Sequence, residues 1–417
     1  MSEAQKLMEE LSSLVSYKDS SGNYNKLKET QSVDINEIVG YRDKKIIKCA
    51  DPEGYEYKRD DDGFIIPESI DEILARAYKN SASDIHITSG APPKMRVHGE
   101  LLQMPYEFLT PELTRKLLSP LINAETQLIF DQEGDLDFAY SLKGVCRFRV
   151  NLFKQRGAWS AVFRSLSTNI PDAEVLGIPK AILDMATRKR GMVLVTGPTG
   201  SGKSTTLAAI IDQINKTRRE NIITLEDPIE YIHTHNLSNV NQREIGADTK
   251  SFASAVRAAL REDPDVILVG EMRDPETIST AITAAETGHL VFSTLHTIGA
   301  AATIDRIVDS FPHNQQDQIR AQLASVLECV VSQQLIPLQD GKGRVCAFEI
   351  MVGTVPVKHL IRENKIPQIS QQMELESKEG SLLMDTSITK LYAQGKISKD
   401  KAIEFAVDKL KMQAKLK

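Results

Sequence analysis

The feature that most constrains this chain is a glycine-rich turn between a predicted strand and a predicted helix. Residues 197–204 read GPTGSGKS, which is the pattern of glycine, four residues, glycine, lysine and serine that cradles phosphate groups. The apolar run 192–196 directly precedes it, and residues with helical spacing follow Lys203. A strand, such a turn and a helix in this order predict an α/β fold with a parallel sheet.

The turn predicts a site for ATP and Mg²⁺. Its glycines allow the backbone to fold around phosphates with the N–H groups pointing inward. Lys203 would neutralise the β- and γ-phosphate oxygens, and the Ser204 hydroxyl would ligate Mg²⁺. The predicted nucleotide-binding residues are Gly197, Pro198, Thr199, Gly200, Ser201, Gly202, Lys203, Ser204 and Thr205.

Two further strand ends carry carboxylates. The apolar run 266–269 is followed by Gly270 and Glu271, and the run 221–224 leads to Glu226, where Pro228 stops the strand. Ligands bind beside the carboxyl ends of parallel strands. We therefore expect Glu271 to orient or deprotonate an attacking water, with Glu226 sharing this task.

Two histidines flank another predicted strand. His289 precedes the run 290–295 and His296 follows it, a spacing that does not suggest a zinc site. At the carboxyl edge, His296 can donate a hydrogen bond to a phosphate or transmit its presence. We predict a functional role for both histidines.

The organisation of the chain suggests two folded units. Residues 1–66 are polar and predict a flexible extension, 67–168 predict a small α+β domain, 169–179 a linker, and 180–417 the nucleotide-binding domain, mostly helical from residue 314 onward. The hydrophobic fraction of 41% and the charged fraction of 26% argue against a disordered polymer. No apolar run approaches the length of a membrane span.

A hairpin is the clearest element of the smaller domain. Apolar and polar residues alternate along 146–152 and again along 159–164, so the apolar side chains share one face of a sheet. The other face would gather several arginines, among them Arg149 and Arg164.

Taken together, the motifs resemble the type II/IV secretion ATPase superfamily. The stretches LEDPIEY, GEMRD and TGHLVFSTLHT follow the phosphate loop in the order seen in this family, where they are the Asp box, the end of the Walker B segment and the His box. By matching position, Glu226, Glu271, His289 and His296 take those assignments. The segments 82–101 and 146–164 are similar to the pilus retraction ATPases within the superfamily.

The resemblance implies an assembly and a mechanism. Such proteins are homo-hexameric rings, in which each subunit joins a PAS-like amino-terminal domain to a RecA-like ATPase domain. Arginines of the amino-terminal domain complete the ATP site in that family, and Arg149 and Arg164 are the matching candidates here, preferred over Arg147 and Arg156. The implied location is the cytoplasmic side of the inner membrane, peripherally bound to a pilus platform protein.

Pilus retraction is favoured over two alternatives. Pilus assembly, competence and type II secretion ATPases of the superfamily often carry a tetracysteine insertion, which the four dispersed cysteines of this chain do not provide. The retraction motif AIRNLIRE corresponds to PVKHLIRE at 356–363, which matches only in its second half. A RecA-like nucleic-acid translocase is disfavoured by the net charge of −6 and the aromatic content of 6%, and no nucleic acid is expected as a partner.

Overall fold

The computed structural model describes residues 16–18, 24–26, 58–59, 63–97, 99–166, 170–341 and 343–416. The predicted extension 1–66 lies mostly outside these residues. Within it, the short strands β1 (Ser16–Lys18) and β2 (Tyr24–Lys26) pair antiparallel.

A six-stranded antiparallel sheet with three helices follows. Its strand order is β5-β4-β3-β8-β7-β6, and every neighbouring pair is antiparallel. The elements are α1 (Ile70–Lys79), β3 (Asp84–Ile87), β4 (Lys94–Val97), β5 (Glu100–Gln103), α2 (Pro111–Leu118), α3 (Ala124–Glu133), β6 (Asp135–Leu142), β7 (Cys146–Gln155) and β8 (Ala158–Leu166).

The predicted hairpin is present as β7 and β8. Burial alternates along β7, so the side chains of Phe148 and Val150 enter the core while Arg149 is exposed. The turn is made by Arg156 and Gly157, whose φ angles of 49° and 80° lie in the left-handed region. The two strands therefore present an apolar face to the three helices and a polar face on the other side.

The second sheet has seven strands, six of them parallel. Its order is β11-β10-β12-β13-β9-β14-β15, and only β15 runs antiparallel to its neighbour. The elements are α4 (Lys180–Leu183), β9 (Gly191–Thr196), α5 (Lys203–Thr217), β10 (Asn221–Glu226), β11 (Asn239–Glu244), α6 (Phe252–Ala259), β12 (Val266–Val269), α7 (Pro275–Glu286), β13 (Leu290–Leu295), α8 (Ala300–Asp309), α9 (His313–Val326), β14 (Leu327–Pro337) and β15 (Arg344–Val352).

The central strands of this sheet are covered on both faces. Every residue of β9, β12 and β13 is buried, which explains why these strands read as continuous apolar runs in the sequence. Two separate groups of apolar residues, one on each face, pack helices against the sheet. The predicted parallel α/β fold, preceded by a smaller α+β unit, is confirmed.

The carboxyl-terminal part is less helical than expected. Strands β14 and β15 form a long hairpin that extends the sheet. Helix α9 ends at Val326 and β14 begins at Leu327, so no glycine or proline marks the change from helix to strand. An apolar stretch of this kind has no periodicity that separates strand from helix. The helices after the hairpin are α10 (Val355–Arg362), α11 (Ile369–Leu375), α12 (Met384–Ala393), α13 (Lys399–Phe405) and α14 (Lys409–Lys415). In the described part of the chain, no helix has both the length and the apolar character needed to cross a bilayer.

Candidate active site

The phosphate loop lies between β9 and α5, as the sequence predicts. Helix α5 begins at Lys203 after Gly202, whose φ of 90° is left-handed. The buried Lys203 ammonium donates hydrogen bonds to the carbonyl oxygens of Gly197 (2.9 Å) and Pro198 (3.3 Å). The Lys203 side chain thus bends back onto the phosphate loop, at the place where a phosphate group would bind.

Strand β14 packs closely against this loop. A Cβ atom added to Gly197 would lie 2.3 Å from the Gln333 carbonyl oxygen, and the Gln333 side-chain amide donates to the Ser201 carbonyl at 2.7 Å. Gln333 therefore supports the phosphate loop. No sequence motif indicates this contact, because the two partners lie 132 positions apart.

The predicted acid and histidine lie side by side at the carboxyl edge of the sheet. Glu271 follows β12 and His296 follows β13, and these strands are neighbours. The His296 Nε2 atom is 3.1 Å from Glu271 Oε1, while its Nδ1 atom is 3.5 Å from Lys203 Nζ. Because an ammonium group can only donate, these partners assign the proton of a neutral ring to Nε2.

Arg273 is a member of this group that sequence reasoning missed. Its Nε–H donates to Glu271 Oε1 at 2.7 Å, and its side chain is 76% exposed. Glu271 Oε1 thus accepts hydrogen bonds from both Arg273 and His296. The signal was available in the GEMRD stretch, where the arginine stands two positions after the acid.

Glu226 occupies a separate, more enclosed position at the end of β10. Its Oε1 atom accepts hydrogen bonds from the Thr224 hydroxyl (2.7 Å) and the Gln242 amide (3.0 Å). Burial raises the pKa of the Glu226 carboxyl, and these two hydrogen bonds oppose the rise. The carboxyl is held in place and is a weaker acid than an exposed glutamate.

Burial also affects the lysine of the phosphate loop. It lowers the pKa of Lys203, and the negative charges of Glu271 and Glu230 act in the opposite direction. A buried cation that faces a cleft gains favourable energy when a phosphate enters. This arrangement suits the binding of an anionic ligand.

These groups line one cleft of about 520 Å³. The phosphate loop forms one wall, and the chain from Glu226 to Tyr231 forms another, with the Tyr231 hydroxyl 2.9 Å from the Thr205 hydroxyl. Arg344, from the β14–β15 hairpin, also reaches the lining. The volume is within the range of ordinary small-ligand pockets.

The cleft fits a magnesium ion held jointly with a nucleotide. The Ser204 hydroxyl and the Glu271 carboxylate both line it. Among the described residues, no cluster of three or more His, Cys, Asp or Glu could hold a metal without help. Mg²⁺ usually takes one or two protein ligands together with phosphate oxygens and water, so this donor set suits it.

Three of the six predicted catalytic residues are not brought to this cleft. His289 lies at the amino end of β13, where its Nδ1 atom contacts the Ala284 carbonyl at 2.8 Å. The six residues of β13 separate it from His296. Arg149 and Arg164 are cross-strand partners on the exposed face of the antiparallel sheet, and Arg164 donates to Asp84 at 2.9 Å.

Comparison with known proteins places the chain in a family. The family described as Type II/IV secretion system protein matches residues 58–403. The type IV pilus retractation ATPase PilT of Pseudomonas aeruginosa is 46% identical over 337 residues, which cover 81% of this chain and 98% of that protein. A twitching motility protein of Neisseria gonorrhoeae is 47% identical over 326 residues, covering 77% and 87%.

A solved structure agrees with these matches. The crystal structure of the pilus retraction motor PilT with bound ADP superposes with a TM-score of 0.77 and 48% sequence identity, and the match covers 84% of this chain and 100% of that one. The resemblance deduced from the sequence motifs is therefore confirmed.

Proposed function

Because this chain belongs to the type II/IV secretion system protein family, we propose that it is a motor ATPase that powers type IV pilus retraction. The observation that carries the proposal is the shared cleft of Lys203, Glu271 and His296, found in a chain whose match to a retraction ATPase covers 98% of that relative. The same cleft is proposed as the site of ATP hydrolysis.

Binding begins at the phosphate loop. Backbone N–H groups of the loop and the amino end of α5 attract the phosphates, and the Lys203 ammonium exchanges its carbonyl partners for phosphate oxygens. Mg²⁺, held by Ser204 and the nucleotide, would neutralise charge on the β- and γ-phosphates. Residues 197–205 are the proposed binding residues.

Hydrolysis needs a positioned water. Glu271 lies at the strand end that faces the phosphate loop, where its carboxylate would orient the water or accept its proton. His296 joins Glu271 to Lys203, so a γ-phosphate that draws Lys203 away also changes the hydrogen bonds of His296. The proposed role of Glu226 is to fix the neighbouring strand end and share in water placement.

Assembly of several copies would complete the site. Arg149 and Arg164 do not line the cleft of their own chain and are exposed, so we propose that they act on the cleft of a neighbouring subunit in a homo-hexamer. A guanidinium brought to the γ-phosphate stabilises the transition state. The proposed role of His289 also belongs to such an interface, since it lies outside the cleft.

The wider biological role follows the same relatives. We place residues 67–168 in a PAS-like domain and 180–417 in a RecA-like domain, at the cytoplasmic side of a pilus platform protein in the inner membrane. The segment 356–363, which matches the retraction motif in part, lies on α10, where Lys358 is paired with Glu328 at 3.0 Å. Its exposed residues are available to a partner.

A genetic experiment tests retraction directly. Cells that lack the gene should be hyperpiliated and unable to twitch, and the parent gene should restore both properties. The Glu271→Gln gene should not restore them although its protein accumulates. Cells without pili would instead identify an assembly ATPase, and unchanged pili and motility would remove the chain from pilus function.

A further inference from the structure

One ion pair joins the antiparallel sheet to the parallel sheet. The Arg147 Nη2 group, near the start of β7, donates to Glu244 Oε2 at 3.1 Å. Glu244 is the last residue of β11, the edge strand of the parallel sheet. The two side chains are only 23% and 8% exposed, so solvent screens this pair less than it screens a surface pair.

The same carboxylate oxygen also holds a loop of the nucleotide cleft. Glu244 Oε2 accepts the backbone N–H of Ile229 at 3.1 Å, and Ile229 is buried between Pro228 and Glu230, which both line the cleft. The Glu244 backbone N–H donates to Asp248 Oδ2 at 2.8 Å, which fixes the strand end. A single oxygen atom thus connects β7 to the cleft wall.

The ion pair between Arg147 and Glu244 lies close to a proposed catalytic residue. Glu244 is the cross-strand partner of Glu226, so the ion pair lies one strand away from the proposed water-positioning carboxylate. Arg149 stands two residues further along β7 on the same face, yet it is exposed. The first arginine therefore contacts its own chain, and the second is the one proposed above to act on another subunit.

We propose that Arg147 and Glu244 form a strut through which the antiparallel sheet positions the cleft loop 227–231 for nucleotide binding. This inference rests on the proposed hydrolysis of ATP at that cleft. Removing one partner of a largely buried pair leaves the other charge uncompensated, so the loop loses a fixed support. By linkage, a nucleotide that stabilises the loop also stabilises the start of β7.

Enzyme kinetics test the positioning role. Arg147→Met and Glu244→Gln should each raise the KM for ATP by about 2- to 30-fold, with kcat changed by less than about twofold. Because both substitutions remove the same contact, the KM for ATP of the double variant should not exceed that of the single variant with the higher KM. Lys154→Met is the matched control: Lys154 lies on β7, as Arg147 does, and forms an exposed ion pair with Asp131. This variant should leave KM and kcat unchanged.

Hydrogen exchange supplies a readout that general destabilisation would not reproduce. ADP should slow amide exchange at residues 146–149 in the parent and in the Lys154→Met control, but not in Glu244→Gln. The inference is overturned if the Arg147 and Glu244 variants lose thermal stability but keep the parent KM and the ADP-dependent protection of β7. If the parent did not hydrolyse ATP, that result would count against the proposed function and not against this inference. The exchange experiment would still test the inference, because it requires only ADP binding.

Discussion

Replacing Gly197 by alanine should damage the phosphate loop more than a backbone preference alone explains. The φ of Gly197 is 139°, and a Cβ there would lie 2.3 Å from the Gln333 carbonyl oxygen and 2.8 Å from Ser201 Oγ. The backbone oxygen belongs to β14, which is bonded to β9 and cannot turn aside as a side chain can.

The expected cost has two parts. An unfavourable φ costs about 1–3 kcal/mol. Forcing additional volume into a packed region costs about 1–3 kcal/mol more. We expect Gly197→Ala to lower the free energy of unfolding by about 2–6 kcal/mol and to weaken nucleotide binding, because the loop must move away from β14.

Thermal unfolding with and without ADP measures both effects. Gly395→Ala is the matched control, since Gly395 also has a left-handed φ, 68°, but an added Cβ meets nothing within 4 Å. The control should lose only about 1–2 kcal/mol and keep its stabilisation by ADP. Equal losses in the two variants, with ADP binding intact in both, would show that β14 does not confine the loop.

Three further outcomes are expected. Glu271→Gln should bind ATP like the parent while its kcat falls about 10²- to 10⁴-fold, as measured by phosphate release and equilibrium binding; parental turnover would exclude Glu271 from the chemistry. Burial lowers the pKa of His233 from 6.5 to about 4, so the unfolded chain binds the extra proton between these values, and the free energy of unfolding should fall by about 3 kcal/mol from pH 6.5 to 4. Denaturation of His233→Gln over the same pH range should lack this component, and a slope equal to that of the parent would contradict it. Mixing inactive Arg149→Ala and Lys203→Ala subunits should restore partial phosphate release, whereas no recovery would argue against action on a neighbouring cleft.

The sequence was most informative where function is local to strand ends. Glu271 and His296 could be predicted because each lies within two residues of the end of an apolar strand, and parallel strands place such residues at a common edge. The same rule explains the position of His289: it precedes its strand, so the extended chain carries it to the opposite edge.

Long-range contacts were beyond the reach of sequence patterns. Gln333 reaches the phosphate loop from a strand that showed no distinguishing periodicity, and Arg147 meets Glu244 across 97 positions. Neither pair belongs to a short motif. Their contacts depend on which strands become neighbours and on how the two sheets pack, and these are properties of the whole fold.

The most direct test is the release of inorganic phosphate by the purified, assembled protein with ATP and Mg²⁺, compared with Lys203→Ala. The account predicts steady release by the parent and a rate lower by about 10²-fold or more in the variant, because the buried ammonium is the main cationic partner expected for the γ-phosphate. Equal rates in the two proteins, or no release by the assembled parent above a blank, would contradict it.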